Sequence, residues 1–157
     1  SRLADTFIKF AKIKLREIYQ DGSVTGGGKL APKAKEMCQV SAAFYNAVGF
    51  RKPWISYLAF DGEIVVGTGS FKGAPQENGV EISYTMFEES EGKGYDTAIV
   101  TSLIRVARQN DAKIRLYTHT VPKECASTEV LRKLNFEFVG EAVHPKSGKT
   151  WEWQLKK

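Results

Sequence analysis

"EGKGYDTAIV", residues 91–100, sets two glycines, Gly92 and Gly94, just ahead of an apolar run at helical spacing. Glycine reaches positive φ at no steric cost and lets a backbone come close to a ligand, so the pair predicts a tight turn into a helix N-terminus. A helix start offers main-chain N–H groups without internal partners and about half a positive charge, which together make an anion site. The stretch also carries Glu91 and Asp96, two acids where an anion would sit. Asp96 and Thr97 are both residue types that cap a helix with their own side chains, which leaves a ligand-free reading open. Thr97 occupies the third position of G-x-G-x-x-G, so the dinucleotide fingerprint fails.

Outward from the loop, "GVEISYTMF" (79–87) reads as the preceding strand. Its alternation sets Val80, Ile82, Tyr84 and Met86 on one face and Glu81, Ser83 and Thr85 on the other. The spacing predicts a helix over 95–109 with Ala98, Ile99, Ser102, Leu103 and Val106 inward and Arg105 and Arg108 toward solvent. "WISYLAF" (54–60) and "IVVGTGSF" (64–71) flank an Asp-Gly turn and form a hairpin. Upstream, 7–16 alternates from Phe10 to Leu15 as a strand, although its Ala, Lys and Arg also permit helix, 21–32 is a glycine-rich loop, and 33–48 is a helix closed by Gly49. Lys29 is followed by Leu30, so the glycine-rich loop is no magnesium-holding phosphate loop. Downstream come a strand (113–120), a helix (125–134), and two strands (136–143 and 150–156) around "PKSGK". The order β, α, three β, α, β, α, two β is that of a mixed α/β layer structure.

A chain of 157 residues is the size of one domain, 1–157, with room for a substantial core. A net charge of +5 and a pI near 9.2 permit a polyanionic partner, yet such an excess ordinarily serves solubility, so nucleic acid is the weaker expectation. Cys38 and Cys125 stand apart from each other and from any His cluster, which argues for buried free thiols in a reducing cytoplasm and against a metal site. No run approaches the roughly 20 apolar residues that span a bilayer.

Taken together, "GTGSF", "GVEISYTMF", "EGKGYDTAIV" and "THTVPKECASTEVLRKLNFEFVGE" resemble the GNAT superfamily of acetyl-CoA-dependent N-acetyltransferases, on the branch that includes ribosomal-protein N-acetyltransferases. The likeness runs from about Trp54 to Leu155. It implies an α/β fold with a central mixed, mostly antiparallel sheet, helices on both faces, and two splayed strands, 79–87 and 113–120, forming a cofactor cleft. It further implies direct attack of a primary amine, on a small molecule or a protein N-terminus, on acetyl-CoA, with no metal; homodimers are frequent in such folds. The family's loop pattern, Gln/Arg-x-x-Gly-x-Gly/Ala, falls on Glu91, Gly92, Lys93, Gly94, Tyr95 and Asp96, and only Gly94 matches a fixed position. Glu124 stands where the family usually has Asn, and Ser127 is kept. The resemblance places coenzyme A against Tyr84, Thr85 and Met86, the loop through Thr97, and Glu124 with Ser127.

Within that frame Glu81 is the candidate base, since an apolar strand desolvates its carboxylate; an ion pair with Arg or Lys is the competing reading. Tyr84 or Ser127 is placed to protonate the departing thiolate, and Ser127 equally suits a helix start. His119 is a second candidate base or a hydrogen-bonded structural residue, and His144, before Pro145, is expected in solvent. Trp54, Tyr57, Phe71, Trp151 and Trp153 are expected mostly in the core, with one or two lining an acceptor pocket. The acidic substitutions also leave room for a degenerate fold that only binds or regulates.

Overall fold

The computed structural model describes residues 13–157. Seven strands form one sheet in the order β1-β2-β3-β4-β5-β7-β6, from β1 (Ile13–Glu17), β2 (Ser56–Asp61), β3 (Ile64–Phe71), β4 (Val80–Met86), β5 (Leu116–Thr120), β6 (Phe136–His144) and β7 (Gly148–Leu155). Every neighbouring pair is antiparallel except β4 and β5. The helices are α1 (Pro32–Val48), α2 (Tyr95–Asn110) and α3 (Ala126–Lys133), with a short 3-10 turn over Glu88–Ser90. The beginning of the strand expected over 7–16 lies outside the described residues, and its remainder forms β1.

α2 packs against β3 and β4 through Ile99 and Leu103, both fully buried. That contact depends on Gly69: a Cβ there would stand 2.8 Å from Ile99 Cγ2 and 3.2 Å from a Leu103 methyl. The "GTGSF" motif thus brings a helix onto the sheet more closely than any side chain permits. α3 lies beside α2, with Leu131 buried in the same core. α1 covers the opposite face, where Ala34, Cys38, Leu58, Phe60 and Phe87 form a second cluster. Tyr45 fixes its position: its hydroxyl donates to the Ile18 carbonyl at 2.8 Å and accepts from the Ser56 N–H at 2.9 Å.

Three expectations are corrected. β5 starts at Leu116, three residues later than the apolar pattern suggested, because Asp111 turns the chain by accepting from the N–H groups of Lys113 and Ile114. Trp54 and Ile55 precede β2 in a turn. Cys38 is a buried free thiol as expected, but Cys125 is only half-buried, since it opens α3 at the sheet's margin.

Candidate active site

β4 and β5 run parallel and pair only at Val80 with Leu116 and Glu81 with Tyr117. Beyond them, the Thr118 hydroxyl donates to the Ile82 carbonyl at 2.7 Å, and the ladder then ends. The strands therefore part along Ser83–Met86. On the other edge of β4, Lys72 N–H donates to Glu81 C=O and Phe87 N–H to Val66 C=O. Alternation along an antiparallel strand then turns the main-chain groups of Ser83 and Thr85 toward β3, and those of Tyr84 and Met86 into the gap. Of the three residues whose backbone was expected to face a cofactor, Thr85 is thus the exception: its backbone belongs to the sheet and its side chain points elsewhere.

The gap opens toward the glycine loop. Gly92 (φ 76°) and Gly94 (φ 79°) adopt the left-handed conformation, and Gly94 is the N-cap residue of α2. The N–H groups of Gly92, Lys93, Gly94 and Asp96 meet no acceptor among the described residues. A Cβ on either glycine would meet nothing within 4 Å, so the approach is unobstructed. Neither Asp96 nor Thr97 is the cap that the sequence raised, since Gly94 holds that position with no side-chain cap bond; instead the Asp96 carboxylate, inside the first turn, accepts from the Thr97 N–H at 2.8 Å and takes that donor away from any ligand. Tyr95 ties the helix start to the end of β2 by donating to Asp61 at 2.5 Å, and that bond raises the Tyr95 pKa. Glu91 is exposed and Thr97 is buried.

Glu124, the third acid, is already neutralised. Arg132 donates to both of its oxygens, one at 2.7 Å, and the Thr128 hydroxyl donates at 2.9 Å; the Arg132 contact foremost holds the Glu124 carboxyl below its usual range. Ser127 is half-buried at the start of α3 and faces Tyr84. The Tyr84 hydroxyl is buried without a hydrogen-bond partner among the described residues. Burial, opposed by the nearby Ser127 hydroxyl, pushes its pKa up to about 12. An orphaned buried phenol on the parted stretch of β4 is a donor left without an acceptor, whereas buried polar groups are almost always paired.

On the α1 side of the sheet lies a cavity of about 1050 Å³. Its floor is a carpet of hydroxyls from Ser56, Thr68, Ser70, Ser83 and Thr85, which confirms the alternation expected on β4. Met37, Phe44 and Val48 of α1 form one wall, and Ala142, His144 and Lys146 of the β6–β7 hairpin form the other. Glu81 stands in this cavity, its side chain only 16% exposed, at the centre of a row of charges. Its Oε2 lies 3.5 Å from Lys72 Nζ and 3.2 Å from His119 Nδ1, while His119 Nε2 lies 3.1 Å from Glu152 Oε1. The competing reading of Glu81 therefore holds, since it is paired with Lys72; it also lines the cavity beside the gap.

His119 is likewise a hydrogen-bonded residue within the site. His144 ends β6 half-buried instead of standing fully in solvent, and its ring packs edge-on to His119 at 5.8 Å between centroids. Trp54, Tyr57, Phe71 and Trp153 are buried, and Trp151 is half-buried. None of these lines the cavity; its aromatic lining comes from Phe44, Tyr117 and the two His rings. No group of three or more potential metal ligands occurs among the described residues, and no helix there is long and apolar enough to cross a membrane.

A family model, the acetyltransferase (GNAT) domain, matches residues 11–137. No protein of curated function matches the sequence significantly. Among solved structures, an acetyltransferase from Agrobacterium tumefaciens str. C58 superposes with a TM-score of 0.61 at 16% identity, covering 92% of this chain and 91% of that one. The ribosomal-protein-S5-alanine acetyltransferase from Vibrio fischeri gives 0.64 at 16% identity over 91% of this chain and 92% of its own. RimL, a ribosomal L7/L12 alpha-N-protein acetyltransferase in complex with coenzyme A, gives 0.66 at 14% identity over 92% and 93%. The matched span takes in β1 through α3, with the parted strands and the glycine loop inside it, and on that ground the chain belongs to the GNAT acetyltransferases and is an acyltransferase.

Proposed function

We propose that the protein transfers the acetyl group of acetyl-CoA to a primary amine seated in the α1-side cavity, on the branch of the family that modifies small molecules or protein N-termini. The observation that carries this reading is the pairing of two half-sites. A gap between β4 and β5 ends at free main-chain amides on one side, and a cavity holding Glu81 adjoins it on the other.

The residues fit coenzyme A. The N–H groups of Gly92, Lys93, Gly94 and Asp96 suit its diphosphate, with Lys93 adding attraction and the α2 dipole directed the same way. The free main-chain groups of Tyr84 and Met86 suit the amides of its pantetheine arm, and an N–H in that stretch would meet oxyanion charge on the acetyl carbonyl. Acetyl-CoA supplies an activated acyl carbon that a neutral amine nitrogen attacks directly, expelling the thiolate.

Glu81 acts as the base that takes the ammonium's proton before attack, with Lys72 and His119 holding its Oε2 so that Oε1 faces the acceptor. Tyr84 keeps its proton at any physiological pH and donates it to the departing sulfur, with the Ser127 hydroxyl nearby. Thr97 contributes packing at the helix start, and Glu124 with Arg132 frames the entrance to α3.

Thiol release from acetyl-CoA, measured over a panel of primary amines, tests the reading. Glu81→Gln should lower kcat by about 100-fold or more and leave acetyl-CoA affinity within twofold of wild type. Unchanged turnover in that variant would remove Glu81 from the chemistry.

A further inference from the structure

The charges around the cavity select among amines. Two acids line it: Glu81 is paired with Lys72, and Glu81 and Glu152 flank the two ring nitrogens of His119. Two further cations line it, Arg115 and Lys146, and neither has an ion-pair partner among the described residues. The cavity therefore offers two unpaired positive charges to an anion. A polyamine seated with one nitrogen at Glu81 would bring its other ammonium groups against Arg115 or Lys146.

The register sets the spacing. Glu81 lies opposite Tyr117, and Arg115 projects from the same face two residues earlier, about 7 Å along the chain. That is the reach from a peptide's terminal amine to an acidic side chain on the residue after it. Arg115 also borders a second cleft, of about 670 Å³, lined by Arg108, Lys113, Lys156 and Lys157 with Glu137 as its acid. A positive track thus leads away from the cavity along the end of the sheet.

We infer that the acceptor is the N-terminus of an acidic peptide, its amine at Glu81, its first acidic side chain on Arg115 and its continuation over the second cleft. The inference rests on the acetyl-transfer reading and narrows it to one class of amine. A charge-assisted contact at Arg115 should favour an acidic second residue by about tenfold or more in kcat/KM over a basic one.

The test measures thiol release with tetrapeptides of alanine followed by three glutamates, three alanines or three lysines, and with spermidine and phosphoethanolamine. The glutamate peptide should lead, Arg115→Ala should bring it level with the alanine peptide, and Arg115→Glu should invert the order of the acidic and basic peptides. A preference for spermidine or for the lysine peptide, or an Arg115→Glu variant with unchanged ranking, overturns the inference while leaving acetyl transfer intact. Phosphoethanolamine matching the glutamate peptide overturns the peptide assignment.

If no amine releases thiol, the acetyl-transfer reading fails, and the acidic-ligand claim is then decided by binding alone. The N-acetylated glutamate peptide is titrated into labelled protein and followed by NMR. Shifts around Arg115 that Arg115→Glu abolishes uphold it, and no shifts overturn it.

Discussion

Replacing Tyr84 by Phe should make the protein more stable and a poorer enzyme. The phenol oxygen is buried without a partner, and such a group costs about 1–3 kcal/mol of desolvation that Phe does not incur. The ring keeps its place against the core formed by α2 and β3, so no cavity opens. A net gain of about 1–2 kcal/mol corresponds to a rise in Tm of roughly 3–6 °C for a chain of this size. Turnover should fall by about 100-fold, the loss expected for one general acid, with little change in KM for acetyl-CoA.

Alkaline unfolding supplies an independent reading of the same hydroxyl. The folded-state pKa stands at about 12 against an ordinary 10, so the native protein keeps this proton where the unfolded chain releases it. The contribution is complete below pH 10 and is lost as pH rises toward 12, and the two-unit gap is worth about 2–3 kcal/mol. Tyr84→Phe should flatten the stability curve over that interval; Tyr45 and Tyr57, also raised by burial, supply the slope that remains. Calorimetry across pH 8–11 together with steady-state kinetics reads both effects. A lower Tm at unchanged turnover would refute the reasoning, since it would mean that the hydroxyl is structurally bonded and plays no part in the reaction.

Asp96→Ala removes a carboxylate from the helix start and frees the Thr97 N–H, so acetyl-CoA should bind about tenfold more tightly by calorimetric titration, and equal or weaker binding would show that the acid does not compete. Gly69→Ala should cost about 1–3 kcal/mol in urea unfolding, because its methyl meets Ile99 and Leu103 and lifts α2 from the sheet. Gly94→Val should weaken acetyl-CoA by more than it destabilises the fold, since the position requires positive φ and the space beside it is open only to a ligand.

The architecture was legible because its signals are local. Alternation in Val80–Met86 assigned two faces correctly, Asp61-Gly62 announced a two-residue hairpin turn, and Gly92 and Gly94 marked the helix start. What sequence could not supply was register. His119 meets Glu152 because β5 and β7 pair them directly, and their separation of 33 positions carries no trace of that contact. Phe44, Lys72 and Arg115 were missed for the same reason: each looks like an ordinary helix, strand or loop residue until α1 and the β6–β7 hairpin bring the cavity's walls together. Arg132 was the signal for Glu124, two helical turns onward, and reading it would have removed one of three objections to an anionic ligand. The remaining objection with structural force is Asp96, whose carboxylate does occupy a backbone donor.

Acetyl-CoA binding depends on the free amides of Gly92, Lys93, Gly94 and Asp96, and paired calorimetric titrations with acetyl-CoA and acetyl-pantetheine test them most directly, because the second ligand lacks the diphosphate. Saturable one-to-one binding of acetyl-CoA, at least about tenfold tighter than acetyl-pantetheine, is the predicted result. No heat with acetyl-CoA at millimolar concentration, or equal affinity for the two, would contradict it.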